Sequence, residues 1–186
     1  MPNPKPKRAR VPRPVRLPPT LLRIEQTVTG FVPVWHQKLV GRVVIEWAKL
    51  EALMKDFIRI LLQLDIDDAR IVLGPMEVSR LIQILRDLGA RYLLPKDAER
   101  LVTSLEHIDQ RRVERNDIVH GSWGMVDGTP VSASLKSKSE IPEKIVVVHF
   151  PRETMHWIVN NIIEQRVVLD DLYDRYETPD TSPDKS

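Results

Sequence analysis

Residues 34–64, VWHQKLVGRVVIEWAKLEALMKDFIRILLQL, decide the fold. Val43, Trp47, Leu50, Met54, Phe57, Leu61 and Leu64 recur there at alternating spacings of four and three. Such positions share one face of a helix, so the stretch reads as a single long amphipathic helix with a bundle-like seam. A polar break at residues 65–68 and a weak helical turn around Ile71 lead to Gly74 and Pro75, a boundary signal. A second helix follows, with Val78, Leu81, Leu85, Leu88 and Tyr92 on one side. Pro95 suits the first turn of a third helix, with Asp97 and Glu99 near its positive end; it runs to about His120, where Gly121 stops it. Beyond Pro151, a fourth helix uses Met155, Ile158, Val159, Ile162, Val167, Leu169 and Leu172 and ends near Tyr176.

Between Trp123 and Phe150 the pattern changes. Gly124, Gly128 and Pro130 are turn residues, and residues 144–150 are rich in β-branched side chains, which predicts a small β-hairpin or an irregular excursion. The expected architecture is all-α: an up-down four-helix bundle with this insertion before its last helix. The bundle is expected over residues 20–177, between an arm at 1–19 and a tail at 178–186, both read as disordered.

Composition narrows the chemistry. The chain of 186 residues is 42% hydrophobic, enough to fill one core, and it has no cysteine, which excludes a disulfide framework, a thiol nucleophile and thiolate metal sites. No apolar run approaches the roughly 18 residues that cross a bilayer, so the expectation is a cytoplasmic protein without a membrane partner. Charge is uneven. Lys5, Lys7, Arg8, Arg10, Arg13 and Arg16 stand between Met1 and Thr20 with no acid among them, leaving the remainder at −4 against a total of +2. Seven of the 15 prolines lie in the same stretch, so this segment reads as an extended basic arm suited to a polyanion. Without aromatic partners it also reads as a simple solubilising leader.

The third helix carries the candidate site. At about 100° per residue from Leu101, Leu105 lies near 40° and Ile108 near 340° on the apolar side; Arg112 falls near 20°, Asn116 near 60°, Arg115 near 320°, Asp109 near 80° and His120 near 100°. Polar groups therefore stand where a plain bundle would place leucine, and they must bond to each other, line a wet cleft or meet a partner. Arg111 and Ile118, at about 280° and about 260° on the same wheel, turn away from this side and predict a contact surface beside the cluster. A purely structural reading also exists: His120 favours the negative end of the helix dipole, and Arg115 finds a carboxylate in Asp109 or Glu114.

The run Arg111-Arg112-Val113-Glu114-Arg115-Asn116-Asp117-Ile118-Val119-His120-Gly121 resembles the signature of HEPN domains, in its Arg-Asn-x-x-x-His form. The likeness extends to the long first helix with Glu46-Trp47-Ala48-Lys49-Leu50-Glu51 in its middle, and spans roughly residues 34–176. Many members are metal-independent endoribonucleases acting as dimers; some are toxins or antiphage effectors held by an antitoxin or regulatory protein. Others have lost catalysis and serve as interaction modules. Carried over, the resemblance makes His120 the catalytic histidine, Arg115 the catalytic arginine that contacts phosphate, and Asn116, Arg112 and Arg111 substrate-binding residues. Ser122 stands where one branch has a tyrosine, so that branch's modification chemistry is not implied. RNA and a second copy of the chain are the expected partners.

The side chains suit that chemistry. A histidine near its ordinary pKa of about 6.5 can take the proton of a ribose 2′-hydroxyl, and an arginine can hold the phosphate as charge grows on it. Other constellations are poorer. His36, His107, His149 and His156 form no i,i+4 pair and no HExxH, so neither a zinc site nor a cofactor is expected. Asp170, Asp171 and Asp174 read as an exposed acidic face, Trp47 as core, and Glu46 as a surface ion or an acid that orients an arginine. The alternative function is a non-catalytic helical dimer that binds a protein or a nucleotide.

Overall fold

The four-three spacing becomes helix α1 (Val34–Leu62), in a computed structural model that describes residues 32–126, 129–136 and 144–177. Then follow α2 (Ile66–Leu73), α3 (Val78–Tyr92), α4 (Pro95–His120), the strands β1 (Ser122–Val126), β2 (Thr129–Lys136) and β3 (Lys144–His149), and α5 (Arg152–Tyr176). The described chain is mostly helical, with a small antiparallel sheet before the last helix. The basic arm at 1–19 and the tail at 178–186 lie outside the described residues.

Two differences from the sequence reading are local. The weak turn around Ile71 is a full helix, because Asp65 caps it: its carboxylate accepts the backbone N–H of Asp68 at 2.7 Å, satisfying a donor that the first turn leaves open. The expected hairpin has a third strand. β1 pairs with β2 from Ser122↔Ala133 to Val126↔Thr129, and β2 with β3 from Val131↔His149 to Lys136↔Lys144. Gly124, read as a turn residue, stands in β1 opposite Val131.

The chain divides into two units, and α1, α4 and α5 contribute residues to both. The first takes residues up to Val40 and from Asp117 to Ile158; it holds the sheet and buries Leu39, Ile118, Val131, Val148, Phe150, Met155 and Ile158. The second takes Gly41–Asn116 and Val159–Ser186. Its core is Val43, Trp47, Leu50, Met54 and Phe57 of α1, Leu81 and Leu85 of α3, Leu101, Leu105 and Ile108 of α4, and Val159, Ile162, Leu169 and Leu172 of α5.

The predicted seams hold with corrections at a few positions. Val167 and Tyr92, placed on apolar faces, are largely exposed. Ile118, placed on an outer contact surface, is wholly buried, and so is most of Arg111. The wheel misled because it fixed one direction from Leu101: Leu101, Leu105 and Ile108 are buried in the core of the second unit, whereas Ile118 is buried in that of the first, with Arg111 buried near the same angle. Near its end, the inward side of α4 is therefore the side on which Arg111 and Ile118 stand.

Candidate functional site

The residues singled out on α4 fall into both units: Arg111, Arg112, Arg115 and Asn116 in the second, His120 in the first. In the second unit the basic residues are held by neighbours on the same helix. Arg111 is 7% exposed and pairs through Nη1 with Glu114 Oε2 at 2.6 Å; Arg112 Nε meets Asp109 Oδ1 at 2.8 Å. These are i,i+3 pairs, the spacing at which helix side chains are neighbours. Arg115 is half-buried, and its Nη1 donates to Asn116 Oδ1 at 3.1 Å, while Asn116 itself is exposed. Asp109 and Glu114, read as acids within reach of Arg115, meet Arg112 and Arg111 respectively. Of the ways open to these polar groups, bonding to one another holds for Arg111 with Glu114, Arg112 with Asp109 and Arg115 with Asn116, and Asp117 is buried beside them in sequence.

Glu46 does hold an arginine, though of another helix. Its side chain is nearly buried, with Lys49 Nζ at 3.0 Å and Arg166 Nη2 of α5 at 3.6 Å. Trp47 is core, as read. Of the acidic trio, Asp171 is tied to Arg100 and Arg175, and the hydrogen bond from Arg100 leads in holding its carboxyl below the usual range. An open cleft of about 470 Å³ in this unit is lined by Lys96, Arg100 and His107 of α4 and Glu164 and Gln165 of α5, with a buried Ser104–Gln165 hydrogen bond of 2.9 Å. Its charges are of both signs, which selects no ligand class. Among the described residues no three His, Asp or Glu side chains converge on a metal position, and no helix is long and apolar enough to cross a membrane.

In the first unit His120 is the last residue of α4 and is exposed. Its backbone setting is held by two side chains of the sheet. The last carbonyls of a helix lack intrahelical donors. Here the Ser132 hydroxyl of β2 donates to the Asp117 carbonyl, and the Trp123 indole N–H of β1 donates to the Ile118 carbonyl at 2.9 Å. Gly121 fits this closure by lacking a side chain: a Cβ there would overlap Ser132 Oγ and stand 2.7 Å from the Asp117 oxygen. The helix end is thus fastened to the sheet by residues on either side of His120 in sequence.

The same tryptophan meets a histidine that sequence reading passed over. His36, in the first turn of α1, is fully buried, with its ring centroid 4.3 Å from that of Trp123 in an edge arrangement and 5.2 Å from that of Trp35. Phe150 backs Trp123 at 5.5 Å, and the Arg152 guanidinium lies over Trp35 at 5.8 Å. Neither ring nitrogen of His36 has a hydrogen-bond partner among the described residues, and burial pushes its pKa down to about 4. It is therefore neutral at pH 7, filling an aromatic pocket as an apolar ring would. The only sequence signal was a histidine beside Trp35 at a helix start; Trp123 and Ser132 gave none, since both lay in a segment read as a small β-hairpin or an irregular excursion.

The chain matches no family model, no curated protein and no solved structure.

Proposed function

We propose that this protein is a metal-independent endoribonuclease of HEPN type, built on an up-down four-helix bundle and acting as a homodimer. The observation that carries the reading is His120: an exposed imidazole at the end of α4, on a backbone fastened by Trp123 and Ser132, and following an Arg115-Asn116 pair on the same helix. Preorganisation of this kind is what a general base needs, because it must meet its proton within hydrogen-bond reach.

In the proposed reaction His120 accepts the proton of a ribose 2′-hydroxyl. The freed oxygen attacks the adjacent phosphorus, the bond to the 5′-oxygen breaks, and that oxygen takes a proton from a second acid, the histidine of the other copy in a dimer. The products are a 2′,3′-cyclic phosphate and a 5′-hydroxyl. Arg115 neutralises the phosphate as its charge grows, with Asn116 and Arg112 as further polar contacts. Arg111, whose guanidinium is buried against Glu114, is instead assigned to holding the helix. A toxin or defence role, with an antitoxin partner, belongs to the same proposal.

The test uses purified full-length protein and end-labelled single-stranded RNA in EDTA. Cleavage leaving cyclic phosphate ends is expected, and DNA of the same sequence stays intact because it lacks the nucleophile. Cleavage that needs a divalent metal overturns the mechanism. The buried Arg111–Glu114 pair favours a second reading, a non-catalytic helical interaction module, in which the basic residues of α4 serve structure alone; intact RNA at every metal concentration decides for it.

A further inference from the structure

The aromatic pocket around His36 is open at Trp35. His36 is fully buried, but Trp35, directly before it in the first turn of α1, is only half-buried and keeps part of a large ring in solvent. The two rings meet at 83°, and the Arg152 guanidinium lies over the indole at 5.8 Å, near the outer limit of about 6 Å for a cation–π contact. Among the described residues no carboxylate pairs with Arg152, which is exposed, nor with Lys38, exposed one helical turn on from Trp35. Residues 32–45 carry Lys38 and Arg42 and no acid. The same pocket reaches the mount of His120: the His36 ring stands 4.3 Å from that of Trp123, whose indole N–H donates to the Ile118 carbonyl at the end of α4.

A half-exposed indole beside two cations that no described carboxylate holds suits one class of ligand. An unpaired nucleotide has a flat base, which stacks on an aromatic face, and phosphates on either side, which meet arginine and lysine. The bases of a duplex are already stacked on each other, so a double strand offers this surface phosphates alone. An acidic protein would likewise engage the cations and leave the ring unused.

We propose that Trp35, with Arg152 and Lys38, is a stacking site for one unpaired base of a single-stranded nucleic acid. The base lies on the indole, and Arg152 leaves the ring for one neighbouring phosphate while Lys38 meets the other. As the place where substrate is held, the site rests on the ribonuclease reading; binding itself does not require cleavage. The test is fluorescence anisotropy of the full chain with a labelled DNA single strand of about ten nucleotides, a length suited to one such surface. DNA lacks the 2′-hydroxyl that the proposed reaction needs and so stays intact. The single strand should bind more tightly than its duplex and than an abasic strand of equal length. Trp35→Leu, which keeps an apolar group against His36, should weaken binding of the base-bearing strand about tenfold, the usual worth of a stacked base, without changing abasic binding or the salt slope. Trp35→Phe should retain most of the affinity. Arg152→Ala and Lys38→Ala should each lower the salt slope by about one, on both strands. Equal effects of Trp35→Leu on base-bearing and abasic strands overturn the stacking site, as does a salt slope indifferent to both cation variants. The two readings fail separately. RNA left whole by a protein that shows these differences ends the ribonuclease reading and keeps the site, whereas RNA cut in EDTA by a protein whose binding ignores Trp35→Leu does the reverse.

Discussion

Two histidines of the first unit share one tryptophan and have opposite surroundings. His36 is sealed among Trp35 and Trp123 without a hydrogen-bond partner among the described residues; His120, whose helix end Trp123 secures through the Ile118 carbonyl, is exposed. Burial favours the neutral ring at one place, and exposure lets the ring meet a solute at the other. The residue type is the same, so the difference lies entirely in what the fold packs around each ring. One is a piece of core held neutral by burial; the other is an exposed imidazole on a fixed mount.

The largest expected effect follows from the mount. On the proposed reading, His120→Ala lowers the RNA cleavage rate at saturation by about 10² to 10⁴, the usual worth of a general base, and leaves the melting temperature nearly unchanged because an exposed ring contributes little packing. Initial rates on a labelled RNA and a thermal melt of the same preparation measure both. A variant that loses stability while keeping its rate would make His120 a structural residue and overturn its role as the base.

The buried ring makes the next prediction, on acid stability. The pKa of His36 is about 4 in the folded protein, against 6.5 ordinarily. Between those values the unfolded chain binds a proton that the folded one refuses. The contribution of the neutral ring is therefore complete above about pH 6.5 and is lost as pH falls towards 4, amounting to roughly 3 kcal/mol across the window. Urea unfolding at pH 7 and pH 4.5 should show the loss, and His36→Leu should remove most of it while keeping an apolar group of similar size in the pocket. An acid slope unchanged in His36→Leu would mean that carboxylates elsewhere set it.

Much of this was legible in the sequence, and the misses have physical causes. The helices were read from spacing because amphipathic periodicity is a local property; α4 and α5 begin or end close to where Pro95, Gly121 and Pro151 placed them. The sheet was only half seen, since β1 is five residues long and carries a glycine at its centre, and what makes it a strand is pairing with β2, a non-local event. His120 was found through an Arg-Asn-x-x-x-His pattern. Its support was not, because Trp123 and Ser132 act through backbone carbonyls of α4, and a carbonyl leaves no mark in a sequence. His36 was missed for a similar reason: its low pKa comes from burial, and Trp123, which covers it, is brought there by β1.

The smallest expected effect concerns the mount itself, at Gly121. The closure after His120 depends on there being no side chain at this position, where an added methyl would overlap the Ser132 hydroxyl and crowd the Asp117 carbonyl. Gly121→Ala must therefore push Ser132 Oγ away from that carbonyl, leaving a buried acceptor short of its donor. Overpacking and a lost buried hydrogen bond together should cost about 1–3 kcal/mol, visible as a lower urea midpoint. Ser132→Ala removes the worst overlap and the same bond, so Gly121→Ala combined with Ser132→Ala should be more stable than Gly121→Ala alone, retaining the missing donor and the crowding of the Asp117 carbonyl. If the closure at Gly121 is what holds His120, cleavage should fall several-fold in Gly121→Ala and recover in part in the double variant, while the acid slope set by His36 stays as it was. Equal stability of the single and double variants would show that Ser132 yields freely, and that Trp123 alone secures the helix end.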